Sequence, residues 1–65
     1  MTAAYVVETR PRSITLAFTT WKDFHEFEHT PARYRWGIHR EVGQKVDRWI
    51  YDDYIMVQYT RKGKR

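Results

Sequence analysis

Cysteine is absent from this chain, serine occurs once, at Ser13, and there are only two prolines and three glycines in 65 residues. Without cysteine there is no disulfide framework, no thiolate zinc site and no cysteine nucleophile, so stability must come from packing, a partner subunit or a metal held by other ligands. The lone serine and the lack of a glycine-rich phosphate loop remove two further catalytic arrangements. No segment approaches the roughly 18 apolar residues of a membrane span, and Met1 to Val7 has neither the basic region nor the apolar stretch of a secretory signal. The expectation is a cytoplasmic protein that does not enter a membrane. A chain this short buries only about 60% of the surface it exposes unfolded, which leaves one core and little room for a deep enclosed substrate pocket.

What is present is aromatic. Three Trp, five Tyr and three Phe bring the ring content to 17% and the hydrophobic content to 42%, against a charged fraction of 31%. That balance belongs to a folding chain rather than a disordered one. The formal charge of +4 is unevenly placed: residues 1–60 hold eight bases and eight acids, so the whole excess sits in Arg61, Lys62, Lys64 and Arg65. The organisation expected is one domain over 1–60 and a flexible basic tail over 61–65.

Tyr5-Val6-Val7 and Ile14 to Thr19 are rich in β-branched and aromatic residues, with Ile14, Leu16 and Phe18 on one face, and the break around Pro11 makes them a hairpin. Thr19 or Thr20 then serves as helix N-cap, with Asp23 in the first turn where the helix dipole favours a negative charge. Trp21, Phe24 and Phe27 follow at helical spacing, and Pro31 stops the helix near His29. Arg33 to Tyr59 admits two readings. Ile38, Val42, Val46, Trp49 and Ile50 fit one arc of a second amphipathic helix at about 38–52. Alternatively Gly43-Gln44 forms a two-residue turn, which sets Arg40 against Asp47, Ile38 against Trp49, Trp36 against Tyr51 and Arg35 against Asp52. The second reading is preferred and gives an α+β fold, a small ββαββ antiparallel sheet with one short helix. It turns Tyr34, Trp36, Ile38, Trp49, Tyr51, Ile55, Val57 and Tyr59 to the core, and Arg33, Arg35, His39 and Arg48 to the other face beside Ile50, Tyr54 and Met56.

Three features bear on function. His25-Glu26-Phe27-Glu28-His29 satisfies H-E-x-x-H on a helix, a spacing that puts two imidazoles on one face for zinc and a carboxylate beside the metal-bound water. Over these five residues the chain resembles the catalytic helix of the zincin metallopeptidases, which implies His25 and His29 as metal ligands. The metzincin continuation is absent, because Ala32 and Arg35 stand where glycine and a third histidine belong, and Lys22 sits one turn away with an opposing charge. Arginine alternating with rings from Arg33 to Arg40 suits phosphates and stacked bases. The basic tail suits a phosphate backbone without sequence preference.

These features point to a non-enzymatic binding protein without a cofactor. The first expectation is a nucleic-acid-binding accessory or regulatory protein using Arg33, Arg35, Trp36, His39, Arg48, Tyr54, Arg61, Lys62, Lys64 and Arg65. The alternative is a stand-alone protein inhibitor or adaptor of a larger machine, of the kind mobile elements and viruses encode, binding through its aromatic surface or an exposed strand edge. A zinc-dependent hydrolase through His25-Glu26-x-x-His29 is the third reading. An apolar sheet face also needs cover, which a homodimer would supply.

Overall fold

The computed structural model describes residues 4–62. Strands β1 (Tyr5–Thr9) and β2 (Ser13–Phe18) form the expected hairpin. Its connection carries Pro11 and is closed by the Arg10 N–H donating to the Ser13 carbonyl at 2.8 Å. Helix α1 (Trp21–Glu28) follows, and Thr20 caps it by accepting the Asp23 N–H on its hydroxyl at 3.1 Å. A single 3-10 turn (Ala32–Tyr34) and one turn of helix, α2 (Ile38–Glu41), lead into the long strand β3 (Val42–Tyr51) and then β4 (Tyr54–Arg61).

The four strands make one antiparallel sheet in the order β1-β2-β4-β3, so the apolar strands β2 and β4 are central. The fold is a small α+β architecture. Register sets Ile14 against Tyr59, Leu16 against Val57 and Phe18 against Ile55. These six side chains line the face that α1 covers with Phe24 and Phe27. Phe18 receives both helix rings, with centroids 5.4 and 5.3 Å away, and Phe27 also meets Tyr59 at 5.8 Å. Full burial of a phenylalanine stabilises by about 1.5–3 kcal/mol, and each such ring pair adds about 0.5–1.5 kcal/mol. Trp21 completes the expected arc only in part. It meets the edge of Phe24 at 6.1 Å and stays exposed.

The second hairpin differs from the expectation. Residues 35–41 are not a strand; the segment 38–52 holds only the one helical turn of α2 before β3 begins, so the long second helix is not formed either. The turn lies at Asp52-Asp53, which joins Tyr51 directly to its partner Tyr54, and both aspartates have positive φ, 48° and 68°. That is the backbone of a type I′ turn, whose twist matches the flanking strands. Gly43 has another purpose. A Cβ there would lie 2.3 Å from the Thr60 hydroxyl, which accepts the Gln44 N–H at 2.8 Å, so glycine permits β3 to approach β4 closely. Moving the turn by nine residues reassigns the faces: Ile55, Val57 and Tyr59 do enter the core, Trp49 and Tyr51 go to the face opposite α1, and Tyr34 and Trp36 are exposed outside the sheet. Among the described residues no helix is long and apolar enough to cross a membrane.

Holding two non-glycine residues at positive φ is unfavourable, by about 1 kcal/mol or more each. Asp53→Gly should therefore raise the thermal midpoint by a few degrees, whereas the same substitution at Asp47, mid-strand, should lower it; calorimetry on both variants checks the register.

Candidate functional site

The basic residues expected to share a sheet face are dispersed, and several are structural. Arg35 reaches back to the C-terminus of α1, where Nε donates to the Thr30 carbonyl at 2.8 Å and Nη2 to the Glu28 carbonyl at 3.4 Å. His39 hydrogen-bonds the Phe27 carbonyl through Nε2 at 2.7 Å and stacks on the Phe27 ring, centroids 3.8 Å apart. Both satisfy carbonyls left without partners at the end of a helix, and the Arg35 cation opposes the negative end of its dipole. Arg48 lies on the α1 side of β3 with its guanidinium 5.4 Å from the Trp21 ring. Its neighbour Lys45 bridges Glu28 at 3.1 Å.

Arg61 is the last residue of β4. It pairs with Glu41 at 3.0 Å and donates to the Arg10 carbonyl at 3.1 Å, so its charge is tied to the sheet. Lys62 is exposed, with its backbone N–H on the Glu41 carbonyl at 2.8 Å, while Lys64 and Arg65 lie outside the described residues. Arg33 lies on the surface above the Tyr34 ring at 5.0 Å and has no ion pair among the described residues; Trp36, in the loop that follows, is 74% exposed. An open groove of about 870 Å³ runs beside these rings, floored by Phe27 and Ile38. His25 and His29 share one exposed helix face with their rings stacked 6.3 Å apart. Among the described residues no group of three or more His, Cys, Asp or Glu is placed to hold a metal ion together.

The sheet face opposite α1 is a different kind of surface. Tyr5, Ala17, Met56 and Trp49 form one row across all four strands, Glu8, Thr15, Gln58 and Asp47 the next, and Tyr54 and Tyr51 lie beyond the first row at the Asp52-Asp53 turn. Tyr5 stands on the edge strand β1, Trp49 and Tyr51 on the edge strand β3, and Tyr54 on the central strand β4. On the inner strands Thr15, Ala17 and Met56 are only 5%, 5% and 7% exposed, so the accessible surface of this face is made by the rings and not by the residues beneath them. The charges around it are the carboxylates of Glu8, Asp47, Asp52 and Asp53, with Arg10 on Glu8 as the counter-charge. Of the residues expected at a binding surface, Tyr54 belongs here. Tyr5, Trp49 and Tyr51 were missed because the misplaced turn sent the last two to the core; period-two alternation counted outward from Asp52-Asp53 places them correctly.

Two buried groups complete the electrostatics. Tyr59 carries its hydroxyl into the interior with no hydrogen-bond partner, and burial, with the Glu28 carboxylate adding to it, pushes the phenol above its ordinary range. Burial also holds the His39 imidazole below its ordinary value of 6.5; the Phe27 carbonyl opposes that shift and the Arg35 charge adds to it. Comparison with family models, curated proteins and solved structures finds no match to this chain.

Because folding disfavours the His39 proton, its contribution is fully present above pH 6.5 and is lost as pH falls below that value, where the unfolded chain takes up the proton first. His39→Gln should lower stability by about 1–2 kcal/mol at pH 7.5 through the lost carbonyl bond and ring contact. In denaturant titrations the gap between wild type and variant should narrow between pH 7.5 and pH 5.5; a constant gap would contradict the neutral cap.

Proposed function

We propose that this chain is a non-enzymatic protein-interaction module that docks a protein partner on the open face of its sheet. One observation carries the reading: a four-stranded sheet with one face covered by a single helix presents Tyr5, Trp49, Tyr51 and Tyr54, all exposed, on the other. Exposed aromatic clusters of this kind mark interaction sites, and Tyr and Trp supply much of the binding energy at protein interfaces. The rings alone would equally suit stacked bases. The charges favour a protein, since a polyanion brought to this face meets the carboxylates of Glu8, Asp47, Asp52 and Asp53 with Arg10 on Glu8, while phosphate contacts supply much of the affinity in nucleic-acid binding. Cytoplasmic location belongs to the same reading and rests on the lack of cysteine.

A second reading rests on a separate observation. Arg33, Tyr34 and Trp36 are exposed together beside the groove at the end of α1, and this patch, with the basic tail, suits single-stranded nucleic acid. A photo-crosslinking side chain placed at position 51 or at position 33 separates the two. Incubated with cell lysate, the position-51 protein should form protein adducts that disappear in Trp49→Ala, and the position-33 protein should not. Nucleic-acid adducts from position 33, together with salt-sensitive binding of mixed-sequence RNA that is lost in Arg33→Ala, would overturn the protein reading.

A further inference from the structure

We infer that His25 and His29 form one half of a zinc site, and that the same pair of a second copy of the chain completes it. The site lies on the outer face of α1 and stands independently of the open-face reading. Helical backbone runs through both residues, since the His29 N–H donates to the His25 carbonyl at 3.0 Å. Residues one turn apart on such a helix are neighbours on its surface. Accordingly the two imidazoles stack, with centroids 6.3 Å apart and planes inclined by 14°. A tetrahedral zinc ion held by one nitrogen of each ring, at about 2.0–2.1 Å, sets the ring centroids roughly 5 Å apart. Closing the difference of about 1 Å takes only a side-chain rotation, and both rings are exposed. The third histidine is not available, because His39 is committed to the Phe27 carbonyl and ring.

The pair is incomplete by itself. Zinc in a closed site takes four ligands, and among the described residues no third His, Cys, Asp or Glu is placed to join these two. The remaining two positions face away from the protein, because both rings stand on the exposed side of a helix whose buried side carries Phe24 and Phe27. Ligands from outside must fill them, and imidazole is the donor that matches the first two. A two-fold axis through the ion supplies it: each copy gives two nitrogens, and the assembly closes at two chains. The surface beside the pair permits that approach. Lys22 and Glu26, one turn apart, carry charges that sum to zero, so Glu26 offsets the repulsion between Lys22 and the ion. Trp21, one turn before His25, is 47% exposed and gives the contact an apolar margin. A sphere of four imidazoles leaves no position for a water nucleophile, which makes the site structural rather than hydrolytic. Since α1 covers the sheet face opposite Tyr5, Trp49, Tyr51 and Tyr54, the bridged pair keeps both open faces outward. On the open-face reading, a partner with two docking segments then gains by avidity.

The probe is zinc chloride added to the full chain, prepared without a histidine tag. Sedimentation velocity should show a monomer in EDTA and a dimer once zinc reaches half an equivalent per chain, with no response to magnesium. In amide-resolved NMR the zinc-dependent shifts should fall on α1, from Trp21 to His29, and leave Ala17 and Met56 unmoved. His25→Ala and His29→Ala, each at an exposed position, should weaken zinc-induced dimerisation by more than about 100-fold, beyond the roughly 10–100-fold typical of losing an outer-shell partner. Their spectra in EDTA should still match the wild-type fold. Saturation at one zinc per chain without dimerisation would overturn the second copy as the source of the missing ligands. A zinc-dependent dimer that persists in His25→Ala/His29→Ala would put the ligands elsewhere and overturn the site, as would absence of zinc binding at millimolar concentration. A dimer that forms in EDTA, or that shifts Ala17 and Met56, joins the chains through the open sheet face and overturns the zinc bridge.

Discussion

Phe24 and Phe27, packed on Phe18 and Tyr59, hold the only helix of more than one turn among the described residues against the sheet. An eight-residue helix is about 12 Å long and covers little more than two strands. It packs on β2 and β4 over Ile14, Leu16, Phe18, Ile55 and Val57, with Val42, Ala4 and Ile38 completing the same cluster. The neighbouring edge strand adapts to the helix flank, where Lys45 takes Glu28 and Arg48 takes Trp21. At the other end of α1 the chain must turn away from Phe27 without stranding buried carbonyls. Arg35 and His39 meet that need, which is why two residues of surface chemistry are consumed by the fold. The same geometry leaves one whole sheet face uncovered.

Function, on this reading, is the consequence of one-sided packing. Small folds without disulfides or metals have little energy to spare, so a sheet face carrying three tyrosines and a tryptophan is unfavourable to maintain in water unless something binds it. Segregation of charge sharpens the selection. The carboxylates of Glu8, Asp47, Asp52 and Asp53 border the open face with Arg10 on Glu8, while the helix side carries both signs, Lys45 on Glu28 and Arg61 on Glu41 among them. A face bordered mainly by carboxylates favours a basic partner, which differs in kind from anything drawn to Arg33 or to the tail.

Local signals in the sequence were sufficient for the first half of the chain. Thr20 before Trp21, Asp23 in the first turn, Phe24 and Phe27 at helical spacing and the Ile14-Leu16-Phe18 alternation all depend on neighbours within a few residues, and each has the place expected of it. The second half failed at one point. Gly43 resembles a turn residue more than Asp52 or Asp53 does, and in a segment dense with rings and arginines even a wrong register produces agreeable cross-strand pairs. What glycine supplies at position 43 is the missing Cβ opposite Thr60, a constraint set by a residue seventeen positions away. The capping by Arg35 and His39 is likewise tertiary, since it depends on where the C-terminus of α1 lies. The open face was invisible for the same reason: its rows join residues from all four strands, and a single misplaced turn exchanges it with the core.

Hydroxyl-radical footprinting of the free chain over a hundred-fold range of concentration reads the one-sided burial side chain by side chain. Tyr5, Tyr51 and Tyr54 should oxidise readily at every concentration while Phe24, Phe27 and Tyr59 stay protected. Protection of Tyr5, Tyr51 and Tyr54 equal to that of Tyr59 in the dilute chain would contradict an open, unpartnered sheet face.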